Sequence, residues 1–402
     1  MLLQLQGLPA RIEFCPDSSV VADGVSAVLT GWPMSKQASN DSEPAFMRIF
    51  RDGSDTIVRR TDCAWETREP SHVSAVCSAI VEIVEAYVTQ SDRLGALHAG
   101  AVAFDGRLVL FPASTRAGKS TLMTRLAAGG HKVFSDDLLP IELSTGMGIS
   151  TGCLPRPRLP LPANATPEFS SFVQDHLHLT DGYFGYVDPG PASRATFGEG
   201  LPAGAVVLLS RSETPCDARM EAATPEQALW ALVSQETRRA LPAESVLDSY
   251  LHLVGGLKCL RLHYYDLEGA VRCLEGAFAN WDLEDGSTAK PVDAMPAGDE
   301  LVITCNGIGP IYRHAPQTIL RTAGTDGFLI RRETNETHNL NQMGLAIWRV
   351  LEQPVAVPTI VDLFAEAFPD VDATIIAADI DATLSRMLEL GLLVEDLKQP
   401  AC

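Results

Sequence analysis

The sequence predicts an α/β core built around a P-loop, with an α+β region before it and a winged-helix α+β domain after it. Three patterns predict this fold: a strand, loop and helix around Lys119, an Asp-Asp pair after the next strand, and a strand–turn–strand followed by helices beyond residue 326. The chain has 402 residues, 46% of them apolar, which suits two or three globular domains. The predicted divisions are 1–95 for the α+β region, 96–283 for the core, 284–312 for a linker and 313–397 for the winged helix.

The region 1–95 contains two runs of alternating apolar and polar residues, at 11–14 and 46–50, which are typical of half-buried strands. Residues 73–87 carry apolar side chains at helical spacing and lead toward the core. This region offers no group of residues suited to catalysis. We therefore expect a packing module or a platform for the substrate.

The core is organised around a loop that approximates the phosphate-binding pattern G-x-x-x-x-G-K-[ST]. A buried strand is predicted at 107–111 and a helix at 121–128, and the loop joins them. Backbone N–H groups of such a loop and the positive end of its helix bind nucleotide phosphates, while Lys119 would reach the β- and γ-phosphates and Ser120 would hold Mg²⁺. The predicted nucleotide-binding residues of the loop are Ala113, Ser114, Thr115, Arg116, Ala117, Gly118, Lys119, Ser120 and Thr121.

The loop departs from the pattern at two positions. Ala113 stands in place of the first glycine, and Arg116 in place of a further glycine that is common in such loops. Glycine is favoured there because the loop needs unusual φ angles and a close approach to phosphate. Arg116 either adds a cation over the phosphates or points to solvent, so weak nucleotide binding is an alternative expectation.

Asp136 and Asp137 follow a short predicted strand at 131–134, directly after the helix of the loop. Two adjacent aspartates at a strand end are otherwise typical of a solvated turn. In this position, with His98 about one strand ahead of the loop, they resemble HPr kinase/phosphorylase and its relatives, whose core is shared with phosphoenolpyruvate carboxykinase.

The resemblance implies ATP as the phosphoryl donor and Mg²⁺ held by Ser120 with one of the two aspartates. The other aspartate would act as general base, with His98 beside it. The catalytic candidates are therefore Asp136, Asp137, His98 and Lys119, and the sequence leaves open which aspartate is the base. Relatives of this kind are often oligomeric, so a homo-oligomer is a further implication of the resemblance.

A proline-rich stretch at 153–162 is predicted to be extended, because proline removes a backbone donor and fixes φ. Its Arg156 and Arg158 are further candidates for the phosphate site, since the Pro-Arg-Pro sequence resembles a loop of HPr-kinase-like proteins. Solvent-facing arginines are the alternative. Residues 164–200 are rich in Gly, Pro, Asp and Ser, which favours a long surface excursion or a lid. An unbroken apolar run at 205–210 then predicts a buried strand.

Beyond the linker, strands are predicted at 327–332 and 338–341, followed by helices at 340–351, 359–364 and 376–390. A last short strand is expected after the third helix. This order of elements is typical of a winged helix.

Three motifs in this part of the chain, Leu-Asn-x-x-Gly-x-x-Ile-Trp, Phe-Pro-x-Val and Leu-Glu-Leu-Gly-Leu-Leu, resemble those of PqqD-like domains over residues 316–396. The resemblance implies recognition of the leader of a ribosomally made precursor peptide. The leader would add as a strand to the exposed edge of the wing near 327–340 and lie on the last helix, 376–390. A DNA-binding winged helix is the alternative. From residue 301 onward, seven Lys/Arg stand against thirteen Asp/Glu, a net charge of −6 that argues against a duplex partner.

Bulk properties limit the partners and the compartment. The net charge of −20 opposes binding to nucleic acid or to an anionic membrane. No apolar run reaches the roughly 18 residues of a membrane span, and the first residues lack the basic flank of a secretory signal. Nine dispersed cysteines without a C-x-x-C pair are typical of reduced thiols in a cytosolic protein. His176 and His178 are expected to be solvated rather than to bind zinc.

These patterns predict a cytoplasmic, ATP-dependent kinase that phosphorylates a Ser or Thr hydroxyl of a precursor peptide captured by its own leader-recognition domain. One alternative is a scaffold that binds nucleotide weakly and presents the peptide to partner enzymes. Another is a kinase for a small-molecule hydroxyl, in which the recognition domain has no evident role. Neither nucleic acid nor a membrane is an expected partner.

Overall fold

A computed structural model of the chain describes residues 1–37, 45–113, 117–238, 240–281, 310–353 and 355–395. The chain forms two compact mixed α/β units, Met1–Leu241 with Val246–Ala289 and Pro242–Ser245 with Lys290–Cys402. The predicted division into four segments stays a prediction. The linker 284–312 lies outside the described residues up to residue 309, and a strand begins at Ile311, inside its predicted end.

The first unit opens with a sheet whose strands follow the order β3-β1-β2-β4-β5-β6. Its elements are β1 (Leu2–Leu5), β2 (Arg11–Phe14), α1 (Ser19–Val28), β3 (Met34–Gln37), β4 (Ala45–Asp52), β5 (Asp55–Arg60), β6 (Glu66–Glu69) and α2 (His72–Val88). The predicted strands at 11–14 and 46–50 and the predicted helix at 73–87 are confirmed as β2, part of β4 and part of α2. The buried face of α2 packs against this sheet, in a core that also takes in Leu154 and Tyr186 from farther along the chain. The region 1–95 therefore packs directly under the proline-rich stretch.

The second sheet of this unit follows the order β11-β10-β7-β8-β14-β16-β15, with β9 paired to β7. Its strands are β7 (Leu94–Phe104), β8 (Arg107–Pro112), β9 (Val133–Ser135), β10 (Leu138–Glu142), β11 (Met147–Ile149), β14 (Gly200–Arg211), β15 (Arg219–Ala222) and β16 (Lys258–Tyr264), and β12 (Leu177–Thr180) and β13 (Gly185–Val187) form a separate hairpin. The helices are α3 (Lys119–Ala128), α4 (Pro167–Asp175), α5 (Pro225–Ser234), α6 (Ala243–Val254) and α7 (Leu267–Phe278). Because β8, β14 and β16 run parallel, their carboxyl ends meet at one edge of the sheet.

The stretch 164–200, predicted as a surface excursion, lies largely at the surface but contains regular structure that was not predicted. It contains α4, β12 and β13, and the buried side chains Phe169, Val173 and Val187 belong to the same core as α3. The helix begins with a threonine cap, since the Thr166 side chain accepts a hydrogen bond from the Phe169 N–H, and Pro167 occupies the first turn. The glycines and prolines mark turns between these short elements.

The second unit contains two small sheets, ordered β21-β17-β22 and β18-β19-β20, together with three helices in its described part. Its elements are β17 (Ile311–His314), β18 (Thr318–Ala323), β19 (Asp326–Arg331), β20 (Glu336–Leu340), α8 (Gln342–Val350), β21 (Val355–Ala356), α9 (Val357–Ala367), α10 (Ala373–Glu389) and β22 (Leu393–Glu395). The helix predicted at 359–364 begins two residues earlier, because Pro358 fits the first turn, where no N–H is needed. In the second of these sheets β19 pairs with a neighbour on each side, so a strand added to this sheet would pair with β18 or β20.

Within the described part of the chain, no helix combines the length and the apolar character that crossing a membrane requires.

Candidate active site

The turn from β8 into α3 depends on one glycine. Gly118 caps α3 in the left-handed conformation, with φ of 85°, and a Cβ at this position would lie 2.9 Å from the Tyr264 Oη. That hydroxyl donates a hydrogen bond of 3.1 Å to the Ala117 carbonyl and so fixes the end of the loop against β16. Ala113 is described and buried. The predicted phosphate-binding residues Ser114, Thr115 and Arg116 lie outside the described residues.

Lys119, the first residue of α3, is a buried cation to which no described residue offers a hydrogen bond. Its side chain is 8% exposed, and among the described residues its Nζ finds no hydrogen-bond partner. Burial lowers the pKa of Lys119, although the charges of Asp137 and Asp136 oppose that shift. Position 100 of β7 is a glycine, where a Cβ would lie 2.7 Å from the Met123 Sδ and 3.2 Å from the Lys119 Cγ, so the missing side chain leaves room for Met123 and for the stem of Lys119. An unpaired buried ammonium is costly in the free protein, so the position fits an anion such as a nucleotide phosphate.

Asp136 and Asp137 lie in the turn between β9 and β10. Asp136 is 4% exposed, and its Oδ2 accepts a 2.8 Å hydrogen bond from the backbone N–H of Arg156. Asp137 is more open, with 38% of its side chain exposed, and its Oδ1 lies 3.0 Å from the His98 Nε2. This contact follows from strand pairing, since His98 on β7 is the register partner of Leu138 on β10.

The two aspartates have pKa values shifted in opposite directions. Burial raises the pKa of Asp136, and the neighbouring Asp137 charge adds to that shift. Burial also works to raise the pKa of Asp137, but the hydrogen bond and charge of His98, with Lys119 and Arg156, outweigh it and lower the pKa. Ionisation of the pair therefore favours Asp137, whereas Asp136 holds its proton longer.

These shifts predict opposite effects of the two Asp-to-Asn substitutions on stability. Because the pKa of Asp136 is raised in the folded protein, ionisation of Asp136 costs stability as pH rises through the ordinary carboxyl range. Asp136→Asn removes that cost and should raise the melting temperature near neutral pH. A lowered folded pKa means that Asp137 adds stability above the ordinary carboxyl range and loses it as pH falls, so Asp137→Asn should lower the melting temperature. Each 1 kcal/mol corresponds to about 2–4 °C in a unit of this size.

Thermal melts of both variants and the wild type from acid to neutral pH, with a chelator present, would check this pair of predictions. The Asp136 difference should shrink as pH falls to about 4 and below, where that carboxyl group is protonated in the folded and unfolded chain alike. The Asp137 difference should persist to lower pH, because the lowered pKa keeps the folded carboxyl group ionised there, and it should be lost as pH falls through that folded pKa. Shifts of the same sign at neutral pH would contradict the assignment.

The proline-rich stretch forms one wall of the site. It pairs in extended form with the β13 hairpin, and Arg158 bridges to Phe184 through the backbone. The Arg156 Cζ lies 4.7 Å from the Phe184 ring centre and 5.9 Å from that of Tyr186, while the Arg158 Cζ lies 5.5 Å from Phe184. Neither guanidinium forms an ion pair with a carboxylate of the described chain. The aromatic rings hold both cations in place without neutralising them.

The side chains described above line one cavity of about 500 Å³. Its lining comprises His98, Ala117, Gly118, Lys119, Ser120, Thr121, Asp136, Asp137, Arg156, Arg158, Pro160, Pro162, Phe184 and Arg211. Every predicted site residue that the structure describes lies here except Ala113. Phe184 and Arg211 also line the cavity but were not predicted from the sequence. Arg211 ends β14, which is parallel to β8, so the rule that carboxyl ends of parallel strands share an edge was the signal that could have found it.

The donor set suits a magnesium ion completed by phosphate rather than a protein-only metal site. Among the described residues, no cluster of three or more His, Cys, Asp or Glu side chains is suited to hold a metal ion, His176 and His178 included. Mg²⁺ typically binds one or two carboxylates together with water and substrate phosphates. Ser120 and the aspartate pair supply the oxygen ligands that this mode requires.

Comparison with known proteins identifies one segment of the chain. Residues 327–393 match the family model described as Coenzyme PQQ synthesis protein D (PqqD), so the chain contains a PqqD domain, as its motifs indicate. No curated protein matches the chain.

Two solved structures are similar to parts of the chain. One is "TbiB1 in Complex with the TbiA(beta) Leader Peptide", with 21% identity, 20% of this chain and 93% of that chain covered, and a TM-score of 0.19. The other is the Hpr(Ser) kinase/phosphatase from Coxiella burnetii, with 16% identity, 46% and 99% covered, and a TM-score of 0.23. At such TM-scores neither likeness defines an activity or a partner of this chain.

Proposed function

We propose that the chain is an ATP-dependent kinase that phosphorylates a Ser or Thr hydroxyl of a ribosomally made precursor peptide held by its PqqD domain. In this proposal residues 96–283 form a P-loop catalytic domain, residues 313–397 form a winged helix, and the protein acts in the cytoplasm. The observation that supports it most is the buried Lys119 ammonium, which has no hydrogen-bond partner in the described part of the chain and shares one cavity with an aspartate pair. That combination suits phosphoryl transfer, which needs a cation for the phosphates and a carboxylate for the acceptor proton.

The phosphates would bind to Lys119, to the backbone N–H groups at the start of α3 and to the arginines of the cavity wall. Ser120 and one of the aspartates would hold Mg²⁺, which neutralises charge on the transferring group. Arg156 suits the stabilisation of that charge, because its backbone is tied to Asp136 and its guanidinium is fixed over Phe184.

Asp137 is the better candidate for the general base. Its side chain is more open to the cavity than that of Asp136, and its lowered pKa keeps it ionised at neutral pH. An acceptor hydroxyl beside Asp137 would pass its proton to a carboxylate oxygen of Asp137. His98, whose Nε2 lies 3.0 Å from the Asp137 Oδ1, would stabilise the protonated carboxyl group. Asp136 would then be the aspartate that binds Mg²⁺ together with Ser120.

The PqqD domain would supply the peptide. A leader bound there would raise the concentration of the attached core peptide around the cavity, so that the cavity itself needs little affinity for it. The net charge of −20 fits a cationic leader better than an acidic one. The described cysteines are all free thiols, which agrees with a cytoplasmic setting.

The test is a calorimetric titration of ATP with Mg²⁺ into the purified chain and into Lys119→Ala, with Lys36→Ala as the control. Lys36 is an exposed lysine paired with Asp23, so its loss should leave binding unchanged. We expect saturable binding by the wild type and the control, and none by Lys119→Ala, because the phosphates lose their buried cation. If the wild type fails to bind at about 1 mM ATP, the kinase is excluded, and the PqqD domain would act in a scaffold.

A further inference from the structure

We propose that Glu236 is a positioning residue, which holds His98 at the carboxylate of Asp137 through the edge of β7 on which His98 lies. This inference rests on the proposed function in that His98 and Asp137 take part in phosphoryl transfer. It adds a residue that is not in the lining of the cavity and that acts on the site from behind.

His98 lies where β7 loses its neighbour on one side. β8 pairs with β7 as far as the register partners Ala99 and Pro112, and β8 ends there, where the phosphate-binding loop begins. On the other side β10 continues to pair with β7, as far as Leu94. The edge of β7 that precedes Ala99 would therefore leave backbone groups unpaired beside His98 unless another segment covered it.

The segment 235–238, which follows α5, covers this edge. The His98 N–H donates a hydrogen bond of 2.8 Å to the Gln235 carbonyl, and the Thr237 N–H donates one of 2.9 Å to the Ala96 carbonyl. The segment runs antiparallel to β7 at this point. The backbone of His98 is thus held from two sides, by β10 and by this segment.

The side chain of Glu236 fixes the segment to β7. Its Oε1 accepts hydrogen bonds from the N–H groups of Ala96 and Arg238, at 2.8 and 2.9 Å, and its Oε2 accepts one of 2.6 Å from the Tyr250 hydroxyl. β7 leaves room for this carboxylate with a glycine, since a Cβ at Gly95 would lie 2.5 Å from Oε2. Three donors therefore converge on one side chain.

Tyr250 gives the carboxylate a rigid support. It lies on α6 and is fully buried. Burial, together with the neighbouring charge of Glu236, raises the pKa of Tyr250, so the hydroxyl stays protonated and donates. A buried hydroxyl without an acceptor costs free energy, so the two side chains hold each other in place. Loss of the Glu236 carboxylate would release Ala96 and, two residues along the same strand, His98.

The position of this backbone matters because little else orients the His98 imidazole. Its Nε2 lies 3.0 Å from the Asp137 Oδ1, and both side chains are partly open, with 29% and 38% exposed. Within the described residues no further hydrogen bond holds the imidazole. A displacement of about 1 Å would break the contact with Asp137, and misplacement on that scale can slow a reaction by about 10²-fold.

The experiment observes the imidazole directly by NMR in the full-length chain. The nine histidines are labelled with ¹⁵N and ¹³C, and His98→Ala assigns the His98 signal. Asp137→Asn shows the signal of an imidazole that faces no carboxylate. We expect Glu236→Ala to move the His98 signal toward that position. Glu236→Gln should leave the signal in place, because the amide oxygen accepts the same two N–H groups and the amide NH₂ can donate to the Tyr250 oxygen.

A matched control and a second readout complete the design. Glu275→Ala should leave the His98 signal unchanged, since the Glu275 side chain is 47% exposed and contacts His131. In single-turnover transfer of phosphate from ATP to the precursor peptide, Glu236→Ala should be about 10- to 10²-fold slower at unchanged ATP affinity. In a chain that already carries His98→Ala, the same substitution should have no further effect, because it acts through His98.

An unmoved His98 signal in Glu236→Ala overturns the inference. An equal loss of transfer with and without His98 also overturns it, because Glu236 would then support the fold alone. If Glu236→Ala does not fold, Tyr250→Phe decides by the same two readouts, with a smaller shift in the same direction expected, since it removes one hydrogen bond and keeps the buried ring. A wild type that transfers no phosphate overturns the proposed function, whereas the His98 signal still decides whether Glu236 positions the imidazole.

Discussion

Asparagine at position 137 should slow phosphoryl transfer by about 10²–10⁴-fold and leave ATP binding nearly unchanged. The substitution keeps the size of the side chain but removes the carboxylate that would accept the proton of the attacking hydroxyl. The His98 Nε2, 3.0 Å from Asp137 in the wild type, would then face a neutral amide. ATP binding should persist because, in the proposed function, Lys119 and the loop supply most of the contacts to the phosphates.

The measurement is single-turnover transfer of labelled phosphate from ATP to the precursor peptide, with ATP affinity measured in parallel. Asp23→Asn is the matched control, since the Asp23 side chain is 71% exposed and its ion pair in the described part of the chain is with the exposed Lys36. Transfer at the wild-type rate by Asp137→Asn would remove Asp137 from the reaction. If Asp136→Asn alone lost transfer without losing Mg²⁺ binding, the roles of the two aspartates would have to be exchanged.

Much of the site that the sequence predicted lies close together along the chain, whereas His98, Arg156 and Arg158 were predicted from a family resemblance. The loop, the helix after it and the Asp-Asp pair fall within a short segment whose local patterns determine strand, turn and helix. Gly118 is a case in which the requirement is local, because the turn needs φ of 85°.

The parts that the sequence missed come from strand pairing and packing between distant segments. Tyr264 supports the loop from β16, Gly100 accommodates the stem of Lys119 from β7, and Phe184 holds Arg156 from the β13 hairpin. Each contact depends on a register or a side-chain packing that no local pattern specifies. Composition misled the prediction for 164–200, because glycines and prolines between short buried elements resemble those of a loop.

The second unit shows how pairing refines a sequence prediction. The motifs located the PqqD domain, and residues 327–340 were expected to hold the leader. β19 has a partner strand on each side and cannot pair with a third, so only the outer edges of β18 and β20 remain. Of these, β20 belongs to the matched segment, which makes it the edge that we propose for the leader.

A proline on the outer edge of β20 should raise the KM for the precursor peptide by about 10²-fold or more, because it removes a backbone donor from the added strand and reduces tethering. Alternate residues of a strand direct their N–H groups to opposite sides, so one of Thr337→Pro and His338→Pro loses an outward N–H and the other an N–H bonded to β19. The outward variant should keep its melting temperature and the inward one should lose stability.

Kinetics with the whole precursor and with the same peptide lacking its leader would check this prediction. The leaderless peptide should react equally with the wild type and the outward variant. If the outward variant used the whole precursor as efficiently as the wild type, the leader would have to bind elsewhere than on β20.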